Sequence, residues 1–283
     1  MTNLYIIGNG FDLDLGLKTK YSDFILSSEF QNLIQLHSNC LFSKYLFKKF
    51  NEELKWMDIE NELKVYINNI YEQTGTDFKS EFIQFKKTLI TYLQNQVATN
   101  SFNYSSNAAR ICDKILDDLS KNINVRIVNF NYTNTVPIIV KKLNSDRYRK
   151  HEELEKIIYN NPHGEIKKGI VFGVEDNALI QNKKDFLYLI KGADPIHEHQ
   201  DWHKSYTIAN EITIFGHSLG DSDFDTFEPM FDYLMTVRDF QRTLKFYYLD
   251  KDEDYYNERL EKFTKGRITA LSINHLLLRN PSF

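Results

Sequence analysis

Leu4-Tyr5-Ile6-Ile7-Gly8-Asn9-Gly10-Phe11-Asp12 is the stretch that decides the fold. Four apolar residues running into Gly-x-Gly read as a short buried strand stopped by a tight turn, because a strand covered on both faces shows no polar alternation. Other apolar runs end the same way. Val125-Arg126-Ile127-Val128 leads into Asn129-Phe130-Asn131-Tyr132-Thr133-Asn134, and Ile212-Thr213-Ile214-Phe215 leads into Gly216-His217-Ser218-Leu219-Gly220. Pro162-His163-Gly164 is a further glycine turn. In an open α/β sheet the carboxyl ends of parallel strands line one crevice, so turns remote in sequence converge there on one ligand. A nucleotide site is the first expectation.

Between the first strand and the next lies a different kind of sequence. From about Tyr21 to Lys121 the chain is rich in Lys, Glu, Leu, Phe and Tyr, with Gly75 as its one glycine and no proline. Apolar residues recur at helical spacing in Leu54, Met57, Leu63, Val65, Ile67 and Ile70, and again in Phe82, Phe85, Leu89 and Leu93, which predicts amphipathic helices broken near Gly75. After Asn124 short β-branched runs alternate with helical stretches: Val125 to Val128, Gly169 to Phe172, Glu211 to Phe215, Leu244 to Leu249 and Ile268 to Ile273. That alternation predicts an α/β fold, Rossmann-like, with a mostly parallel sheet flanked by helices and a large helical insertion after the first strand. The expected division is 1–20 with 122–283 as the nucleotide-binding domain and 21–121 as the insertion.

Composition narrows the function classes. The chain has 283 residues, 42% hydrophobic, 26% charged and 14% aromatic, with 21 Phe and 17 Tyr, so it is long enough for a sizeable core and unlike a disordered or fibrous chain. A formal net charge of -4 gives nucleic acid no global support. Cys40 and Cys112 are too few for a disulfide framework or a four-cysteine zinc site, which fits a reducing cytoplasm. No apolar run approaches the about 20 residues of a membrane span, and the first residues run into a strand rather than a signal sequence. A cytoplasmic location with no membrane partner is expected.

Gly8 and Gly10 after a strand can bring backbone N–H groups to a phosphate, which makes Gly8, Asn9, Gly10 and Phe11 ligand-binding candidates. Leu13 stands where a dehydrogenase fingerprint wants a third small residue, which disfavours hydride transfer. Asp12 would repel a pyrophosphate unless it caps the helix, meets ribose hydroxyls or holds a metal. Asn131 and Asn134 carry amides suited to orient a ribose hydroxyl or a water, Thr133 beside them is a further ligand-binding candidate, and His163 sits in a turn where it can act as a base near neutral pH. Gly216, His217, Ser218, Asp221 and Asp223 form the last candidate turn. Its alternating Asp221, Asp223 and Asp225 suit a divalent cation, with Asp12 and Asp14, if the chain is instead a metal-dependent nuclease or phosphohydrolase. Ser218 in Gly-x-Ser-x-Gly also fits a hydrolase elbow, but His275 is the only later histidine. His197, His199 and His203 have zinc-compatible spacing without completing ligands. Trp56, Asp58 and Glu60 fit a helix with one buried aromatic and surface acids.

The run from Ile6 to Phe24, with Asn131-Tyr132-Thr133, His163-Gly164 and Gly216-His217-Ser218-Leu219-Gly220 in the same order, resembles the AbiH family of bacterial abortive-infection proteins over essentially the whole chain. The resemblance implies defence against bacteriophage. More distantly, the motif order is similar to that of sirtuin-type NAD-binding domains, with Asn131 on the catalytic Asn, His163-Gly164 on the His-Gly and Gly216-His217-Ser218 on the late Gly-x-Ser turn. Asp12 and Thr133 depart from that pattern, and the zinc-binding cysteines are missing, which argues against deacylation. The implied activity is an NAD-glycohydrolase-type hydrolase with NAD as ligand or substrate, catalytic Asn131 and His163, and no metal. A phage-derived activator and a homo-oligomer are the further expected partners, and a non-catalytic nucleotide sensor is the other alternative.

Overall fold

The computed structural model describes residues 1–36, 40–53, 58–69, 78–147, 154–176, 178–180, 183–196, 202–239, 241–248 and 252–280. In chain order the strands are β1 (Thr2–Ile7), β2 (Asn124–Asn129), β3 (Ile158–Asn160), β4 (Gly164–Glu165), β5 (Gly169–Ile170), β6 (Glu211–Phe215), β7 (Thr243–Tyr247) and β8 (Leu276–Arg279). The chain divides into two compact units, one made of Met1–Gly16, Ser101–Pro162 and His199–Phe283, the other of Leu17–Asn100 and His163–Glu198.

The first unit is a six-stranded sheet in the order β3-β2-β1-β6-β7-β8, with every pairing parallel. The chain steps outward from β1 through β2 to β3, then returns to the other side of β1 and steps outward again. The order reverses between β1 and β6. In doubly wound sheets that is where a crevice opens beyond the carboxyl ends of the strands.

Strand β1 is buried along its whole length because alternate side chains enter two separate cores. Leu4 and Ile6 join Val128, Ile212, Ile214, Phe227, Phe231, Leu260 and Phe263 on one face. Tyr5 and Ile7 join Val125, Ile127, Ile111, Ile115, Val136 and Ile139 on the other. Helices Phe224–Thr236 and Glu253–Phe263 cover the first face, and Asn107–Ser120 and Thr135–Asp146 the second. The Rossmann-like expectation holds, and so does the helical stretch after β1.

Helix Asn107–Ser120 belongs to this unit for reasons the sequence pattern did not carry. Asp14 Oδ2 accepts the Ala108 N–H at 2.7 Å, which ties the helix start to the first turn. Asn3 and the Tyr5 hydroxyl both donate to Asp118 Oδ2, at 2.7 and 2.6 Å. Lys114 bridges Asp118 and Glu211 at 3.2 and 2.8 Å, so the polar residues of β1 are answered from the helix above it.

Two expected strands are corrected. Ile268 to Ile273 lies in helix Ile268–Asn274, and the last strand is β8 just beyond it. Leu271 and Asn274 are the buried side chains of that helix, while Leu276-Leu277-Leu278 forms a strand without β-branching. Gly169-Ile170 is a strand, but it pairs antiparallel with β4 in the second unit rather than extending the parallel sheet. The expected break near Gly75 lies outside the described residues.

The second unit is built from helices and rings. Helices Tyr21–Ile25, Ser28–Leu36, Leu41–Glu53, Ile59–Asn69 and Phe78–Thr99 converge on Phe85, whose ring meets Phe24, Phe30, Phe42 and Phe172 with centroids 5.5, 6.3, 5.6 and 5.4 Å away. Edge-to-face and offset pairs of this kind add to the area they bury. Glu81 reaches from its own helix to the start of Leu41–Glu53, where Oε1 accepts the Ser43 N–H at 3.1 Å. Burial pushes its carboxyl up to about 7, against backbone N–H bonds that pull it down.

Candidate functional site

The first and last glycine turns meet backbone to backbone. The Gly8 N–H donates to the Phe215 carbonyl at 3.0 Å, and the Gly10 N–H to the Gly216 carbonyl at 2.8 Å. A Cβ on Gly10 would lie 2.6 Å from Gly216 Cα, and Gly216 itself has φ +61°, so side chains are excluded from both positions. The glycines are required by this contact between two turns. The expected cradle of free amides is therefore revised, since these two N–H groups are already used. Asn9 is exposed, Phe11 is buried with its ring 6.0 Å from Phe215, and helix Gly10–Asp14 is a single short turn.

Asp12 is 1% exposed and faces the end of β2. Its Oδ2 accepts the Thr133 hydroxyl and its Oδ1 the Thr135 hydroxyl, both at 2.6 Å. Burial raises its carboxyl to about 6, while the two hydroxyls pull the other way. Of the roles the sequence left open for Asp12, hydroxyl binding is the one present, and the hydroxyls are the protein's own.

Asn131 stands two residues beyond β2, beside the first turn, where the Phe130 N–H donates to the Ile7 carbonyl at 2.9 Å. Its backbone is held by Asn129, whose Oδ1 accepts the Asn131 N–H at 3.2 Å and whose Nδ2 donates to the Asn131 and Thr133 carbonyls at 3.3 and 3.0 Å. The Asn131 side chain is another matter. It is 5% exposed, and both Nδ2 and Oδ1 are buried without a hydrogen-bond partner among the described residues. Leaving a buried amide unmade costs more than an ordinary hydrogen bond gains.

In the 216–225 segment His217, Asp221 and Asp223 are engaged, while Asp225 is exposed in the first turn of helix Phe224–Thr236. His217 is buried between Phe130 and Phe227, with ring centroids 4.6 and 4.7 Å away. Its Nδ1 accepts the Leu219 N–H at 3.0 Å, and Nε2 lies 3.5 Å from Asp223 Oδ2. The neutral ring thus carries its proton on Nε2. Asp221 pairs with Arg259 and Lys262 at 2.6 and 2.5 Å, and the hydrogen bond from Lys262 leads the influences holding its carboxyl low. Ser218 is exposed, while the ring nitrogens of His275 lie 2.8 and 3.1 Å from the Leu234 and Asp239 carbonyls. His275 is committed there rather than to Ser218.

Four of the five aspartates of the metal-dependent alternative, all but Asp225, are taken up in the same way. Asp12 is held by two threonines, Asp14 by a helix start, Asp221 by two cations and Asp223 faces His217. Among the described residues no three His, Cys, Asp or Glu gather as metal ligands. His197, His199 and Trp56 lie outside the described residues. Asp58 caps helix Ile59–Asn69, and Glu60 accepts the Lys191 ammonium at 2.8 Å.

The model of the family described as bacteriophage abortive infection AbiH matches residues 4–248, a span containing every one of these turns. The chain belongs to the AbiH family. No curated protein and no solved structure matches it. The AbiH match places the chain among phage abortive-infection proteins, and no helix among its described residues is long and apolar enough to cross a membrane.

Within this AbiH chain the sheet unit brings together the 8–12 turn, the 129–135 loop and the 216–223 segment at the carboxyl edge. His163 belongs to the other unit, where its carbonyl accepts the Val171 N–H at 2.8 Å as the chain enters β4. Sequence reasoning missed Asn129 and Thr135. The available signals were an amide at the last residue of a strand and a hydroxyl at the first residue of a helix, both ordinary in those places.

Proposed function

We propose that the carboxyl edge between β1 and β6 binds NAD or a related nucleotide and hydrolyses its nicotinamide–ribose bond, as the effector step of phage abortive infection. The observation that carries this reading is the Asn131 side chain, buried beyond the carboxyl end of β2 next to β1, with neither polar atom partnered among the described residues. An amide offers a donor and an acceptor from one rigid plane, which suits it to hold a ribose hydroxyl and orient a water together. In the step itself the water oxygen bonds to ribose C1′ as the C1′–N bond breaks. Nicotinamide leaves with the bonding pair, and the water's proton passes to solvent or a base. His163 is given the ribose proton by the resemblance to sirtuin-type domains, and His163→Ala tests that role separately.

Purified protein incubated with NAD, with and without lysate from phage-infected cells, is expected to release nicotinamide and ADP-ribose. Asn131→Ala is expected to remove the release while leaving the fold intact by circular dichroism. Neither binding nor release under either condition overturns the reading. Binding without release, with phage protection kept in Asn131→Ala, replaces it with the nucleotide-sensor alternative.

A further inference from the structure

We propose that Asp12 is a positioning residue, which through Thr133 and Thr135 holds the 131–135 loop so that the Asn131 amide stays aimed, and which makes no contact with the nucleotide. The proposal rests on the reading of Asn131 given above. A carboxylate that binds a ligand presents an accessible oxygen to it. Here each oxygen accepts a short hydroxyl bond, and the residue is almost completely buried.

The loop is tied twice. Asn129 grips its backbone at Asn131 and Thr133, and Asp12 grips its side chains at Thr133 and Thr135. Between these two ties the Asn131 side chain is the group left without a partner. An amide that must meet a ribose hydroxyl and a water within a few tenths of an ångström needs such support, because rotation about its own side-chain bonds otherwise spreads it over several rotamers. The two ties also come from different strands. Asn129 ends β2, whereas Asp12 follows β1, so the Asp12 bonds set the loop against the neighbouring strand's turn.

The Asp12 tie depends on charge. An ionised carboxylate accepts both hydroxyls, while a protonated one has an O–H to place and competes with the donors it faces. The groups facing it are the hydroxyls of Thr133 and Thr135, and no charged side chain contributes to its shift, so burial governs a carboxyl raised to about 6. Asp14 on the same short helix is turned to the Ala108 amide instead.

Two readouts separate this proposal from the reaction on which it rests. The first is the side-chain amide resonance of Asn131 in the full-length protein, identified by its absence in Asn131→Ala. In the wild type it is expected to shift with pH with a midpoint near about 6, and in Asp12→Asn that midpoint is expected to disappear. The pair Thr133→Val with Thr135→Val is expected to copy Asp12→Asn, and Thr133→Ser with Thr135→Ser to restore the wild-type signal. If Asp12→Asn fails to fold, the two threonine pairs carry the same test. The second readout is turnover. Asp12→Asn is expected to lower kcat for nicotinamide release about a hundredfold with KM for NAD changed by less than about twofold, the pattern of a displaced reacting group rather than a lost binding contact. An Asn131 signal indifferent to both pH and the valine pair overturns the proposal, as does a raised KM with unchanged kcat. A wild type that releases no nicotinamide sinks the reaction, while the Asn131 signal still decides the tie.

Discussion

In the sheet unit aliphatic side chains such as Ile6, Ile127, Val128, Ile212 and Ile214 line both faces of the parallel strands and pack with rings such as Phe227, Phe231 and Phe263, whereas in the helical unit rings pack on one another around Phe85. The buried charges differ as well. In the helical unit Glu81 serves a helix start and Glu60 answers Lys191, so ionisable groups hold elements in place. In the sheet unit the carboxylate of Asp12 spans two strand ends, and a neutral amide beside it is left unanswered. Parallel strands fix the backbone so firmly that the loops beyond them can carry an uncommitted side chain. Among the described residues the ring-packed bundle leaves single buried oxygens unanswered, Ser43 Oγ and Glu81 Oε2, whereas Asn131 leaves both a donor and an acceptor so.

The contrast can be broken from either side. Phe85→Ala should cost about 3–5 kcal/mol by emptying the centre of the ring cluster, and hydrogen exchange should speed up first in helices Ser28–Leu36 and Phe78–Thr99. Gly216→Ala should cost about 2–5 kcal/mol, summing a left-handed backbone penalty with overpacking against Gly10, read as a lower urea midpoint. A Phe85→Leu loss as large as that of Phe85→Ala would show that ring geometry outweighs volume, whereas a near-neutral Phe85→Leu would show that the ring contributes nothing beyond volume.

Glu81 gives the comparison a pH axis. Its folded carboxyl, raised from the ordinary 4.5 to about 7, binds more protons than the unfolded chain between those values. Stability therefore falls as pH rises through that window. The shift of roughly 2.5 units corresponds to about 3 kcal/mol, and Glu81→Gln should remove most of that slope in unfolding measured from pH 4.5 to 7.5. Asn129→Ala should cost about 1–3 kcal/mol by orphaning the loop groups it holds, and should also lower any nicotinamide release. The smallest effect is expected at Asp221→Asn, under about 1 kcal/mol, because its ion pairs are solvent-screened. A large loss of activity there, rescued by a divalent cation, would return the Asp-rich segment to consideration as a metal site.

The strands that carry the site were readable because apolar runs stopped by Gly or Asn leave few alternatives. Leu4 to Ile7, Val125 to Val128 and Ile212 to Phe215 all lie in parallel strands, and the reversal of order between β1 and β6 puts their ends side by side. The outer elements were harder. Ile268 to Ile273 has the composition of a strand and the burial of a helix, and its tertiary setting decided between them. At the site, residue types pointed to Asp12 and Asn131, but opposite roles were open to each. Which oxygen meets which hydroxyl, and which amide meets nothing, depends on loops brought together from more than a hundred residues apart. No local pattern records that.

The meeting of Gly10 with Gly216 also sets a timetable. Strand β1 emerges first from the ribosome, yet its neighbours β2 and β6 are made more than a hundred and more than two hundred residues later. At about 5–20 residues per second the nascent strand waits roughly 10–40 s for β6. The edge that carries Asn131 is therefore finished only when most of the chain has been translated. A chain stalled before residue 216 lacks the Gly10–Gly216 contact that completes this edge.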